Sequence, residues 1–422
     1  MSIIWRKVWR DLWGNKFRTL LVVLSTAVGV FALGLVFGLS DVMRTRMTES
    51  HRAGVPAHVT LGTSTFDQDI VDTVLDVPGV ADAEGETWAS VRWKSEGETE
   101  WRDGIMIARA DYEAQRMNLL DLLDGAWPAH SGIERALAAE RMTSRHYNVP
   151  LDATILVEFG RSERRVPVEG VVRYSDAFPP QLVDIATFFA TPETVAWLTD
   201  EEEGYNRLNV RLESFSEEAA NEVGEQIQDR LRRMGLGVGG YGVTDPEVHG
   251  AQETIDSVLL ILTVLGGLSL GLSGFLIVNM MNATVAQQVW QIGVMKVVGA
   301  TGGRVMRVYL AVAVIYSLLS LLLAVPLGAV AAHLLASVLL NIFNVPVGPF
   351  RLMPAALGIQ VGVGLVVPWL AALVPVVGGA RISPHQAISN YGLGAGFGSN
   401  WLDRLIGRIR RLPRPLALSL RN

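Results

Sequence analysis

The sequence contains no cysteine, which excludes disulfides, thiolate metal sites and cysteine nucleophiles and leaves the compartment to be read from other features. Charge is scarce as well: 18% of the 422 residues are Asp, Glu, Lys or Arg, whereas 50% are hydrophobic, a balance too apolar for an ordinary soluble chain. The phosphate-cradling pattern Gly-x-x-x-x-Gly-Lys-Ser/Thr is missing, so the chain has no evident means of hydrolysing ATP by itself. The His-Glu-x-x-His pair is missing too. The seven histidines, His51, His58, His130, His146, His249, His333 and His385, are scattered singly, a spacing that indicates no metal site. Neither a catalytic nor a metal-ligating residue is assigned.

What charge there is falls unevenly. Residues 41–255 hold 20 Lys/Arg against 39 Asp/Glu and the remainder 16 against 3, so a part carrying −19 is flanked by parts carrying +13 together. The basic residues sit at the edges of apolar segments instead of forming a patch on a folded domain, which excludes a nucleic-acid binder and points to a membrane.

Four apolar runs follow. Thr19 to Ser40 has no formal charge over 22 residues, and a helix of that length reaches roughly 33 Å, enough to cross the hydrocarbon core. The run exceeds the apolar stretch of a signal peptide, and Gly38-Leu39-Ser40 is a feeble cleavage site. The other spans are 256–281, 308–340 and 352–377. The third contains Pro326 and His333 and is expected to bend, or to stop near Ala331 and continue as a short outer helix. Arg6, Lys7, Arg10, Lys16 and Arg18 precede the first span, Lys296, Arg304 and Arg307 lie between the second and third, and Arg381 to Arg421 follow the fourth. Lys and Arg beside spans stay on the cytoplasmic side. Four spans satisfy this with both termini and the 282–307 loop inside and residues 41–255 outside, the 341–351 loop being the other outer connection. The expected class is therefore an integral membrane protein with four transmembrane α-helices and a large mixed α/β extracytoplasmic domain inserted between helices 1 and 2.

The leader, residues 1–18, places Trp5, Trp9, Trp13 and Phe17 every four residues with Arg6, Lys7 and Arg10 elsewhere, the pattern of a helix lying flat on the inner leaflet. In the outer region, Asp67 to Leu75 and Glu217 to Met234 read as amphipathic helices. Trp88–Lys94, Gly104–Ala108, Thr154–Phe159, Arg165–Val172 and Arg207–Leu212 read as strands. Gly235 to Gly242, with five glycines in eight residues, and Asp245-Pro246 read as a joint leading back to the membrane.

Two serine patterns occur in the second span. Gly267-Leu268-Ser269-Leu270-Gly271 matches the hydrolase elbow but lies inside one apolar helix, where the required strand-turn-helix context is lacking. Gly271-Leu272-Ser273-Gly274 is similar to the Gly-x-Ser-Gly of rhomboid-type intramembrane serine proteases, with His333 in the next span. The competing account makes Gly267, Gly271 and Gly274 a small-residue face for close helix packing, as Gly34 with Gly38 and Gly358 with Gly362 also offer.

The 282–307 loop is the most unusual stretch. Asn282, Gln287, Gln288 and Gln291 continue the helix out of the membrane almost without charge, and Ile292, Met295 and Val298/Gly299 fall on one side of a short helix, an apolar stripe expected to face something cytoplasmic. At Gln291-Ile292-Gly293-x-Met295-Lys296-x-x-Gly299-Ala300-Thr301 the sequence resembles the MacB/FtsX-like family of ABC transporter permeases. The element order is similar throughout. So are the closing Pro375…Ala380-Arg381-Ile382-Ser383-Pro384-x-x-Ala387-Ile388 and the outer segments Val74-x-x-x-Pro78-Gly79-Val80 and Val168-x-Gly170-Val171-Val172, which look like that family's periplasmic core domain.

The resemblance implies a permease subunit with no ATPase site of its own, which couples ATP hydrolysis by a separate cytoplasmic ABC ATPase to motion of the outer domain. Its expected work is export or extraction of a lipid-like, peptide or drug-like substrate. ATP and Mg would be bound only through that partner, and membrane lipids are the other surroundings. Gln287, Gln288, Gln291, Ile292, Gly293, Met295, Lys296 and Gly299 are the implied ATPase-docking residues. Family members commonly carry Glu-Arg near 287 and 288 and Glu at 291, so docking here would depend less on ion pairs. Apart from the boundary residue Asp256, the spans lack Asp, Glu, Lys and Arg, which fits transmission of motion without a hydrophilic pore. The same fold could serve as a non-transporting mechanotransmitter that activates a cell-wall hydrolase outside. Trp401 to Asn422 resembles the leader, and Ser419-Leu420-Arg421-Asn422 the start of a second repeat; this implies either the first half of a two-repeat permease or a half-permease that pairs with a second copy.

Overall fold

The computed structural model describes residues 13–14, 16–128, 135–160, 162–177 and 179–383. The leader before Trp13, the closing motif beyond Ser383 and the basic tail lie outside the described residues. Among those described, four helices are long and apolar enough to cross a membrane: α1 (Lys16–Ala53), α7 (Gln252–Gln287), α9 (Gly302–Ile342) and α10 (Pro354–Arg381). The shortest has 28 residues, or roughly 42 Å at 1.5 Å per residue against a core of about 30 Å. Between α1 and α7 come β1 (Val59–Phe66), α2 (Gln68–Leu75), β2 (Val80–Ser95), β3 (Arg102–Ala108), β4 (Asp121–Gly125), β5 (Leu137–Glu140), α3 (Arg141–His146), β6 (Thr154–Phe159), β7 (Ser162–Arg173), α4 (Pro180–Val183), β8 (Ala186–Ala190), α5 (Pro192–Thr199), β9 (Tyr205–Leu212), α6 (Glu217–Arg233) and β10 (Val238–Val243); α8 (Val289–Val297) follows α7.

The chain divides into two compact units, one made of Met1–Phe31, Leu268–Val325 and Gln360–Asn422 and the other of Ala32–Gly267 and Pro326–Ile359. In the second unit the strands form one ten-stranded sheet ordered β10-β1-β9-β2-β3-β8-β5-β7-β4, with β6 bridging β2 and β7. That bridge closes β2, β3, β8, β5, β7 and β6 into a ring, and a closed ring has no free edge among its members. Its interior holds Trp93, Met106, Ile155, Val157, Val166, Val168 and Phe188. β2 is 16 residues long and serves two cores. Its second half belongs to the ring, while its first half pairs with β9 and joins β1 and helices α2 and α6 over Val71, Val74, Leu208, Val210, Ile227 and Leu231.

The structure corrects two expectations. The glycine-rich joint is a strand: β10 pairs antiparallel with β1, from Val59 opposite Val243 to Thr63 opposite Val238, because the ladder satisfies its backbone groups, and α6 packs closely on its Tyr241. A Cβ on Gly224 of α6 would come within 2.8 Å of the Tyr241 ring. For the third long helix the stop near Ala331 is overturned, since it runs unbroken through Pro326 to Ile342; in a helix this apolar, packing outweighs the single backbone donor that proline removes.

Also within the second unit, the turn after α9 plugs into the base of the sheet. Asn344 has φ +61°, a conformation that asparagine tolerates better than most residues, and is fully buried. Its Nδ2 donates to Glu140 Oε1 (2.6 Å) and to the Tyr174 carbonyl (2.8 Å), and its Oδ1 accepts from Arg141 Nε (2.7 Å). Glu140 is the N-cap of α3 and accepts from the Met142 and Thr143 N–H groups. Burial pushes its carboxyl up to about 7 despite those donors.

Candidate functional site

The segment from Gln287 to Thr301 belongs wholly to the first unit. α7 ends because Gln288 leaves helical geometry (φ −105°, ψ 11°), although its N–H still reaches the Thr284 carbonyl at 3.1 Å. The glutamine side chains that make this end unusual are partly engaged inside the chain. Gln287 Oε1 accepts from Arg18 Nη1 at 2.7 Å, and Gln288 Oε1 accepts from the Tyr309 hydroxyl at 2.7 Å. Gln288 is buried while Gln291 is exposed.

α8 then turns its apolar stripe inward. Ile292 is wholly buried with Ile277, Met281, Val285, Val305, Tyr309, Ala372 and Val376, and Met295 packs against the same cluster; Gly293 is buried as well. Ile292 thus packs wholly, and Met295 in part, against the chain's own helices. Apolar residues at a membrane exit are drawn first to the chain's own helices, which here offer a ready pocket. The outward face is a different apolar row, Trp290 (55% exposed), Val294 (39%), Val297 (64%) and Val298 (83%), spaced i, i+4, i+7, i+8 along one side.

Two features hold this helix end in place. Lys296 Nζ donates to the Ala380 carbonyl at 2.8 Å and the Ile382 carbonyl at 2.5 Å, a cation against the orphan carbonyls and partial negative charge at the end of α10. Gly299 has φ +100°, where a Cβ is penalised. It lets its own N–H reach the Lys296 carbonyl (3.0 Å) and the Ala300 N–H reach the Met295 carbonyl (2.9 Å), the double bond of a Schellman cap. The docking list thus separates into buried framework (Gln288, Ile292, Gly293), partly buried fastening (Met295, Lys296) and exposed positions (Gln287, Gln291, Gly299). Sequence reasoning missed Tyr309, Arg18 and the Ala380 carbonyl, whose partners lie 21, 269 and 84 residues away.

The predicted packing glycines also separate. A Cβ on Gly38 would meet that of Ala332 at 2.9 Å and one on Gly274 would touch Val367 at 3.8 Å, but Gly267, Gly271, Gly358 and Gly362 have nothing within 4 Å. Gly34 is buried. Close approach occurs instead at Gly29, 2.8 Å from Ser273 Cβ, at Gly364, 2.8 Å from Leu321, and at Gly379 against Val285. Ser273 is 4% exposed and its hydroxyl donates to the Ser25 carbonyl; His333 lies edge-on to the Phe350 ring. Ser273 thus serves as a helix contact, as do Ser320, which donates to the Val23 carbonyl, and Gln360, which donates to those of Val30 and Ala324.

Comparison with known proteins adds the following. Residues 263–384 match the FtsX-like permease C-terminal family. No curated protein matches the chain. Among solved structures, the extracellular domain of the noncanonic ABC-type transporter YknZ from Gram-positive bacteria is 14% identical with a TM-score of 0.30, covering 44% of this chain and 100% of that one. The periplasmic region of MacB from Actinobacillus actinomycetemcomitans is 11% identical with a TM-score of 0.32, covering 48% and 95%.

Proposed function

We propose, from the match of residues 263–384 to the FtsX-like permease C-terminal family, that the chain works as the membrane subunit of an ABC transporter, driven by a separate cytoplasmic ATPase that binds the ATP and Mg. The observation that carries the proposal is the outward row Trp290, Val294, Val297 and Val298 beside exposed Gln287 and Gln291, on a helix end fastened by Lys296 and Gln288. An exposed apolar face on a fixed short helix fits a partner groove, and amides in place of charges fit docking by shape more than by ion pairs. The basic residues flanking the spans support a topology with this turn and both termini inside and residues 41–255 outside. Four spans free of acidic and basic residues beyond the boundary residue Asp256 offer no evident ion path; they fit motion handed to the outer domain, for a substrate that is lipid-like, peptide or drug-like. A second permease copy or repeat would complete the membrane part.

Purification from native membranes in mild detergent tests this. A nucleotide-binding ATPase is expected to accompany the wild-type chain and to be lost from a Trp290→Asp/Val294→Asp variant, which leaves the buried Ile292 cluster intact. An ATPase retained by that variant, or none found with the wild type under any nucleotide condition, overturns the reading.

A further inference from the structure

Two of the singly scattered histidines meet in the fold. His51 lies near the end of α1 and His249 between β10 and α7, so they sit on the two connections through which the sheet joins its flanking helices. Both rings are nearly buried, at 2% and 5% exposure, with centroids 5.6 Å apart. Asp176, just beyond β7, faces both: its Oδ1 is 3.4 Å from His51 Nδ1 and 3.6 Å from His249 Nε2. Ser50 and Ser175 touch through their hydroxyls at 3.1 Å.

The remaining partners fix where the protons are. His51 Nε2 faces the Asp245 carbonyl at 3.2 Å, and its Nδ1 lies 3.4 Å from Asp176 Oδ1, an ion-pair distance without a hydrogen bond; burial lowers the ring's pKa, but Asp176 and Asp245 outweigh it, which favours the doubly protonated ring. His249 differs. Its Nδ1 accepts the Ala251 N–H at 3.1 Å, so its hydrogen is on Nε2, directed at the Ser175 carbonyl at 3.3 Å, and the ring is neutral. This tautomer leaves Nε2 no lone pair for a metal, in keeping with the lack of any metal-type cluster among the described residues. Burial holds the His249 pKa below the usual imidazole value, with the charge of His51 adding to it against Asp176. Asp176, which burial alone would raise, is held low by the two rings. The other charges nearby are Asp245 itself, the Arg52–Glu247 pair and the Arg46–Glu49 pair.

We propose that His249 is an acid-operated release for the connection between the sheet domain and α7. A second proton can enter only at Nδ1, where it turns the acceptor of the Ala251 N–H into a donor and sets a second imidazolium beside the first with one carboxylate for both. The 249–251 turn then leaves its seat, while the His51–Asp176 pair keeps the other connection closed. The sign follows from a folded pKa below the unfolded one: the stabilisation is full above about pH 6.5 and is lost as the pH falls toward the depressed value. Opening takes up one proton, so the open population rises by up to about tenfold per pH unit in that range. That this would tune transmission to an outer domain facing an acidified medium rests on the function proposed above; the opening itself does not.

The test is hydrogen exchange of the full chain in lipid nanodiscs at pH 7.5 and 5.5, corrected for intrinsic rates. Exchange across residues 245–256 is expected to rise about tenfold at the lower pH, with β3 unchanged as the control for folding. His249→Asn keeps an acceptor for the Ala251 N–H but cannot titrate, and is expected to remain protected at both pH values. Wild-type protection independent of pH, a His249→Asn chain that opens with acid as the wild type does, or one already open at pH 7.5 would each overturn the inference. Because no ATPase takes part, failure here is distinct from failure of the permease reading.

Discussion

Replacing Asn344 with alanine is expected to release the turn after α9 from the base of the sheet. The side chain makes three buried hydrogen bonds, two of them with the ionisable Arg141 and Glu140 and one with the Tyr174 carbonyl. Bonds to charged groups contribute about 1.5–3 kcal/mol each and the neutral one about 1, and alanine at φ +61° adds roughly 1–2. A loss of about 5–9 kcal/mol rivals the whole stability of many domains, so the region around 137–147 and 343–353 should open while the β1/β9/β10 half stays protected. The effect should also depend on pH. Glu140 has a folded pKa raised to about 7, so its contribution is full below the ordinary carboxylate value and lost as the pH rises through 7. Removing a donor raises that pKa further, and the deficit of the variant should be larger at pH 8 than at pH 6. Asn344→Gly removes the backbone penalty but not the lost bonds and should fall within about 1–2 kcal/mol of alanine. The assay is site-resolved hydrogen exchange on the full chain in nanodiscs; unchanged protection of 137–147 in Asn344→Ala, or a glycine variant as stable as wild type, would refute the reasoning.

Glu86 and Arg109 form a buried ion pair (3% and 4% exposed), in which Arg109 also holds the Met117 and Asn118 carbonyls. Arg109→Met should destabilise the sheet domain by about 3–5 kcal/mol, measured by denaturant titration. The Glu86 carboxyl, raised by burial, is brought below its usual value by Arg109; its contribution is present above the ordinary carboxylate range and lost as the pH falls, so wild-type stability should drop in acid more steeply than that of Arg109→Met. Among the helix glycines, Gly29→Leu should lower thermal stability in detergent by about 1–3 kcal/mol through overpacking against Ser273, whereas Gly267→Leu, with open space around it, should leave it unchanged. Equal effects would show that the packing was misassigned.

The apolar runs, the +13/−19 division and the Gln291–Thr301 motif were all legible as local composition and spacing. They marked the four long helices, the α/β character of residues 41–255 and the segment most worth testing, because solvation of a helix by hydrocarbon acts residue by residue. Orientation of a short helix is another matter. Ile292 and Val294 are equally apolar, and which of them faces inward depends on Tyr309, Val305 and Val376, residues that only packing brings near. Periodicity likewise could mark Gly267 and Gly271 as small but not tell them from Gly29 and Gly364, where a neighbouring helix actually comes close. Ring closure by β6, the strand made from a glycine-rich joint, and the meeting of His51, His249 and Asp176 are non-local pairings. A single sequence records which groups are available for such pairings; the three-dimensional arrangement decides which donor reaches which acceptor, because hydrogen bonds and buried charges act over a few ångströms whereas the chain separations here run from 21 to 269 residues.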